Sequence, residues 1–140
     1  MKRFAIDASV AVKWFIPEIH SAAALRFLDE DIYLCAPDLL ISELGNTLWK
    51  KTERREIALA GAQEIVEAIG GMPVELFPAS ALLAAAFEIA TGLKRSVYDS
   101  LYLALAIAQD APLITADRKF HSVIAASPLA GHIAWVEDEI

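Results

Sequence analysis

The chain has 140 residues, the length of one domain, and its 56% hydrophobic residues supply ample material for a buried core, which excludes disorder as the main state. Twelve Lys and Arg against 19 Asp and Glu leave a formal charge of −7, so the chain lacks the basic bulk of a typical nucleic-acid-binding module, and any such contact must be local. The lone Cys35 can form no intrachain disulfide and, with three His, no Cys-rich zinc site, which points to a reducing cytoplasm.

In chain order, Arg3-Phe4-Ala5-Ile6 reads as a short buried strand that stops at Asp7. Asp7 and Lys13 interrupt the apolar run that a signal peptide would need. Ser9 to Phe15 predicts a turn of helix ended by Pro17, and Ser21 to Leu28 a second helix. Ile32 to Ala36 is a second buried strand. Pro37 then opens a helical pattern in which Leu40, Leu44 and Leu48 recur at four-residue steps, and Glu43, Thr47 and Lys50 form a neighbouring polar stripe. Glu43 therefore sits at the edge of a core-facing surface.

Ile57 to Ile69 predicts a further helix, ended by Gly70-Gly71 before a third strand candidate, Val74 to Phe77. Glycines that close a helix cannot form a phosphate-cradling loop, which must lead from a strand into a helix. An Ala-rich helix begins at Pro78 and Ser80, runs to Ala90 and stops at Gly92, and Ser96 caps a nearly all-apolar, hence central, helix from Val97 to Ala108. Pro112 to Ala116 is a fourth strand ending at Asp117, a helix follows through Ile124, and Ile133 to Val136 forms a last strand. The longest charge-free stretch, Phe120 to Val136, contains two His, a Pro and a Gly and makes a poor membrane span. Short apolar strands alternating with helices predict an α/β fold in one domain over residues 1–140, with a central parallel sheet of about four to five strands covered on both faces.

In such sheets, function collects beyond the carboxyl ends of the strands. Asp7 and Asp117 each follow a strand directly, Asp99 lies in the first turn of the central helix, and Glu43 lies one to two turns into the helix after strand two. Taken singly, Asp7, Asp99 and Asp117 are ordinary helix-capping residues and Glu43 a solvated helix edge. Taken together, four carboxylates converging on one sheet edge repel one another and require a counter-charge such as a divalent cation. An all-oxygen ligand set suits Mg²⁺ or Mn²⁺, and the matching chemistry is metal-assisted hydrolysis of a phosphodiester.

The segments Phe-Ala-Ile-Asp7-Ala-Ser, Ser42-Glu43-Leu-Gly-Asn-Thr-Leu48, Ser96-Val-Tyr-Asp99-Ser-Leu-Tyr-Leu-Ala-Leu-Ala106 and Leu113-Ile-Thr-Ala-Asp117-Arg-Lys-Phe120 together resemble a PIN domain. More narrowly, they resemble the VapC-type toxins of toxin–antitoxin pairs, and the resemblance runs from Asp7 to Phe120 and into the last strand. It implies a three-layer α/β/α fold and a sequence-selective endoribonuclease using Mg²⁺ or Mn²⁺. It also implies a homodimer held inactive by a VapB-type antitoxin. Asp7, Glu43, Asp99 and Asp117 would then be the catalytic, metal-binding acids, with Asp7 and Asp99 as direct ligands, and Ser9, Asn46 and Thr115 would be supporting polar groups.

An RNA backbone also needs positive charge. Candidates are Lys13, Lys94-Arg95, Arg118-Lys119, and Lys50-Lys51 with Arg54-Arg55 farther along Glu43's helix. Trp14 and Tyr98 could stack on bases, although aromatic residues in so apolar a chain are expected in the core. His20, His121 and His132 show no ligand spacing. An aspartyl phosphatase would need a second Asp where Ser9 stands, and a phosphoacceptor receiver would need paired acids after its first strand. The remaining alternative is a non-catalytic module that binds an antitoxin-like partner or RNA. The apolar first half, including Trp14, Phe15, Leu48 and Trp49, could seat an amphipathic partner helix.

Overall fold

The computed structural model describes residues 1–140. Five strands, β1 (Lys2–Ile6), β2 (Ile32–Pro37), β3 (Glu75–Phe77), β4 (Leu113–Thr115) and β5 (Ile133–Trp135), form one parallel sheet in the order β3-β2-β1-β4-β5. Seven α-helices connect them: α1 (Ala8–Ala11), α2 (Ser21–Leu25), α3 (Leu39–Glu53), α4 (Leu59–Ile69), α5 (Ala79–Leu93), α6 (Val97–Gln109) and α7 (Arg118–Ala125). Single turns of 3₁₀ helix extend α1 and α2 and precede β5.

The strand order explains where a site can form. From β1 the chain builds outward through β2 to β3, then returns to the other side of β1 with β4 and β5. The direction of winding reverses between β1 and β4, so the connections leaving these two strands diverge and open a crevice at their carboxyl ends. Asp7 follows β1 and Asp117 lies just beyond β4, on the two lips of that crevice.

The core contains 31 buried apolar residues. Central β1 carries fully buried Ala5 and Ile6, paired in register with Leu113 and Ile114 of β4. Residues Ser100 to Ala106 of α6 are all buried, as an all-round apolar pattern requires, and the helix packs on β1, β2, β4 and α5. On α3 the Leu40, Leu44 and Leu48 stripe is buried, which sets the helix rotation and leaves Glu43 half-buried at its edge.

Four features differ from the sequence reading. The α5 helix does not stop at Gly92; it continues to Leu93 and ends where Lys94 adopts the left-handed conformation (φ 55°). A helical glycine costs about 1 kcal/mol against alanine, which fifteen residues of helix can carry. The third strand is a three-residue edge strand paired only with β2, with Glu75 and Leu76 exposed, so its two faces are not both dry. Pro37 closes β2 instead of opening α3, and α4 starts two residues after Ile57. No helix is long and apolar enough to cross a membrane.

Candidate functional site

Four separate elements bring the four candidate acids to one cavity of about 300 Å³. Asp7, Glu43, Asp99 and Asp117 line it together with Ala8, Ser9, Val12, Thr47, Tyr102 and Phe120.

Asp7 lies at its floor, only 7% exposed, and its carboxylate caps α1 by accepting from the Val10 amide at 3.3 Å. The Ser9 hydroxyl donates to the same Asp7 oxygen at 2.5 Å and itself accepts the Ala116 amide at 2.8 Å. Ser9 therefore ties the end of β1 to the end of β4. Burial raises the Asp7 pKa from the ordinary carboxylate range to about 6, against the lowering effect of the Ser9, Thr115 and Val10 hydrogen bonds, while the Glu43 charge adds to the rise. Thr115 is fully buried, and its hydroxyl accepts the Asp117 amide at 3.1 Å.

Asp117 is exposed and caps α7, accepting from the Phe120 amide at 3.1 Å. The capping roles read from the sequence for Asp7 and Asp117 are thus real, and each capping bond uses a single carboxylate oxygen. Glu43 accepts from the Tyr102 hydroxyl at 2.5 Å. Its pKa is raised, chiefly by burial and further by the Asp99 charge, with the Tyr102 bond opposing. Burial and the facing Glu43 carboxylate push the Tyr102 phenol strongly upward, so it remains a donor across the physiological range.

Ser96 caps α6 by accepting the Asp99 amide at 3.1 Å. Asp99's own carboxylate accepts Arg95 Nη2 at 2.8 Å, where a complete capping box would turn it back to the helix start. Arg95 also lies over the Phe120 ring, 5.2 Å from its centroid, and its Nε is buried without a partner.

The cavity's donors are all oxygens, a set that suits a hard divalent cation and not zinc or copper. No three acidic, His or Cys side chains gather closely enough to ligate one ion together. Mg²⁺, which keeps several waters and binds through one or two carboxylates, fits such an open arrangement.

The other predicted residues divide. Lys13 is buried, and its ammonium pairs with Glu18 at 2.8 Å, because a buried amine must be neutralised; it is not free to meet a phosphate. Arg118 stacks on Trp135, 3.9 Å from the ring centroid, and Lys94 and Lys119 are exposed. Lys51 pairs with Glu18 and Glu56, whereas Lys50 is exposed. Asn46 lies outside the acid cavity and lines its neighbour. Trp14 is part of the core margin, donating Nε1 to the Ala24 carbonyl, whereas Tyr98 is 65% exposed. Sequence reasoning missed Tyr102 and Phe120. Tyr102 carries a usable signal: it is a polar-tipped aromatic within the apolar run of α6 and lies three residues after Asp99, on the same helix face.

Comparison with known proteins identifies the family of this fold. The PIN domain family model matches residues 4–125. Ribonuclease VapC1 of Mycobacterium tuberculosis is 32% identical over 130 residues, covering 91% of this chain and 92% of the relative. Ribonuclease VapC3 of Pyrobaculum aerophilum is 29% identical over 119 residues, covering 84% and 91%. VapBC2 from Rickettsia felis, solved bound to a DNA fragment from its promoter, superposes with a TM-score of 0.65 at 18% identity, covering 95% of this chain and 98% of that one, a likeness of fold. With a family match over residues 4–125, which includes Asp7, Glu43, Asp99 and Asp117, and relatives aligned over nearly the whole length, the chain belongs to the PIN domain family and, within it, to its VapC-type members.

Proposed function

We propose that the protein is a divalent-metal-dependent endoribonuclease, the toxin of a toxin–antitoxin pair, cutting RNA phosphodiester bonds at the Asp7, Glu43, Asp99 and Asp117 cavity. The observation that carries this reading is the convergence of four carboxylates, from four elements distant in sequence, on one crevice at the switch point of a parallel sheet. Caps and hydrogen bonds hold each acid singly, and their mutual repulsion across the cavity is relieved further by a bound cation. Bound Mg²⁺ or Mn²⁺ would lower the pKa of water and neutralise charge building on the phosphodiester.

The chain's own groups divide the remaining work. Asp7, buried at the end of β1, and Asp99, in the first turn of α6, would hold the ion. Ser9 and Thr115 fix Asp7 and the Asp117 backbone in their places. Glu43, held by Tyr102, and Asp117, with one oxygen free of its capping bond, orient water toward the phosphorus. Exposed Lys94, Arg118 and Lys119, each within five residues of Asp99 or Asp117 in sequence, are the groups to gather the RNA backbone, and Arg95 already serves the acids themselves.

A VapB-type antitoxin is the proposed partner, and a homodimer the proposed assembly. Between α3 and α4, exposed Trp49, Leu59 and Val66 border an apolar depression of about 260 Å³, of the kind an amphipathic partner segment fills. The activity is tested by incubating purified protein with a mixed RNA pool. Cleavage with Mg²⁺ or Mn²⁺, abolished by EDTA and by Asp7→Asn, is expected.

A further inference from the structure

The α3 stripe that carries Glu43 does not end at the acid cavity. Leu39, Ser42, Glu43, Asn46, Thr47 and Lys50 recur at three- and four-residue steps and so form one line along the helix. With Tyr98, in the first turn of α6, this line borders a second cavity of about 370 Å³. Ala8, Glu43 and Thr47 line both cavities, so the two are adjoining compartments of one groove.

The second compartment differs from the first in chemistry. The acids dominate the first, whereas the second presents an aromatic ring 65% exposed, a side-chain amide and an ammonium. Lys50 enters no ion pair, although the adjacent Lys51 enters two. Tyr98 directly precedes Asp99, so the ring and a candidate ligand carboxylate ride on the same helical turn at a fixed offset. An aromatic face, a group that both donates and accepts, and a free positive charge in succession match what single-stranded RNA offers: a base to stack, a base edge to read and a further phosphate.

We infer that this compartment is a nucleobase subsite: it binds the unpaired base of the nucleotide next to the phosphodiester held at the acids. Tyr98 stacks on that base, Asn46 contacts its edge, and Lys50 attracts the following phosphate. The inference rests on the ribonuclease reading of the acid cavity. A protein segment is the less fitting occupant, because the exposed apolar residues that would hold one, Trp49, Leu59 and Val66, lie at the separate α3–α4 depression.

The test measures binding of a short single-stranded oligoribonucleotide to Asp7→Asn protein, which holds RNA without cutting it. It then adds Tyr98→Ala, Tyr98→Phe or Lys50→Ala and repeats the series with oligomers carrying one abasic ribose at successive positions. The expected result is a roughly tenfold loss for Tyr98→Ala, near-full retention for Tyr98→Phe, and disappearance of the Tyr98→Ala loss when one particular base is removed. Equal affinity of Tyr98→Ala for the intact oligomer, or a loss indifferent to every abasic position, overturns the subsite and leaves the ribonuclease reading intact. Loss by Tyr98→Ala of a co-expressed partner protein, with RNA binding unchanged, assigns the groove to that partner and also overturns it. Failure of the Asp7→Asn protein to bind any oligomer, with wild type cutting none, removes both readings.

Discussion

The Arg95 guanidinium, in the connection before α6, and the Asp99 carboxylate, in its first turn, pair at 2.8 Å, with the guanidinium also over Phe120 and its Nε buried unpartnered. An arginine that leaves one buried donor unsatisfied in order to reach a carboxylate is supplying a counter-charge that the acid cavity otherwise lacks.

A cation entering the site must share Asp99 with that guanidinium. Arg95→Gln removes the competitor and is expected to tighten Mn²⁺ binding roughly fivefold, the scale of a partly exposed ion pair. Titration calorimetry measures it, and weaker Mn²⁺ binding by the variant would show that Arg95 supports the site and does not compete for it.

Asp7 gives the site its pH dependence. With a folded pKa of about 6 against 3.8 for the free side chain, the native state binds the proton more tightly than the unfolded state does. Its contribution to stability is therefore fully present below pH 3.8 and is lost as pH rises through 6, at a cost of up to about 3 kcal/mol. Asp7→Asn should raise the melting temperature at pH 7.5, with the advantage vanishing near pH 4. Cation binding needs the ionised form, so Mn²⁺ affinity should climb about tenfold from pH 5 to pH 7 and then level off. A flat profile would remove Asp7 from the ligand set.

Tyr102 holds Glu43 in place with its 2.5 Å hydrogen bond from inside α6. Tyr102→Phe keeps the ring volume and leaves a half-buried carboxylate short of a donor, which should cost about 1–2 kcal/mol in urea unfolding. RNA cleavage should fall roughly tenfold with little change in RNA affinity, because the loss is one of orientation. An unchanged turnover rate would make the pair purely structural.

Much of this architecture was legible because its signals are local. The α6 pattern from Leu101 to Ala106 can only be a buried helix, and Asp7 and Asp117 announce themselves as acids that follow strands. The β3 edge position was not legible, since Val74-Glu75-Leu76-Phe77 reads only as a strand, and the pairing with β2 on one side and nothing on the other leaves Leu76 exposed. Lys13 looked free in sequence because its partner, Glu18, lies beyond Pro17 in a turn whose path periodicity does not describe. Arg95 looked like a phosphate ligand for a related reason. Its contact with Asp99 depends on the left-handed Lys94 turn between α5 and α6, which no residue type at that position signals.

The apolar depression between α3 and α4 bears on the partner. Trp49 is 59% exposed there and contributes nothing to the core, so Trp49→Ser should leave the unfolding free energy within about 0.5 kcal/mol of wild type. Co-purification of a co-expressed antitoxin should fall sharply, since an exposed Trp facing a partner pocket is a common anchor of binding energy. Undiminished co-purification would place the partner elsewhere.

The central claim is that four carboxylates at the switch point of the sheet cut RNA with a divalent ion. Cleavage of a mixed RNA pool by wild-type and Asp7→Asn protein, each with Mg²⁺, Mn²⁺ or EDTA, tests it directly. The account predicts cutting by wild type with either ion, none in EDTA and none by a folded Asp7→Asn variant. Cutting that survives EDTA, or equal cutting by wild type and variant, would contradict it.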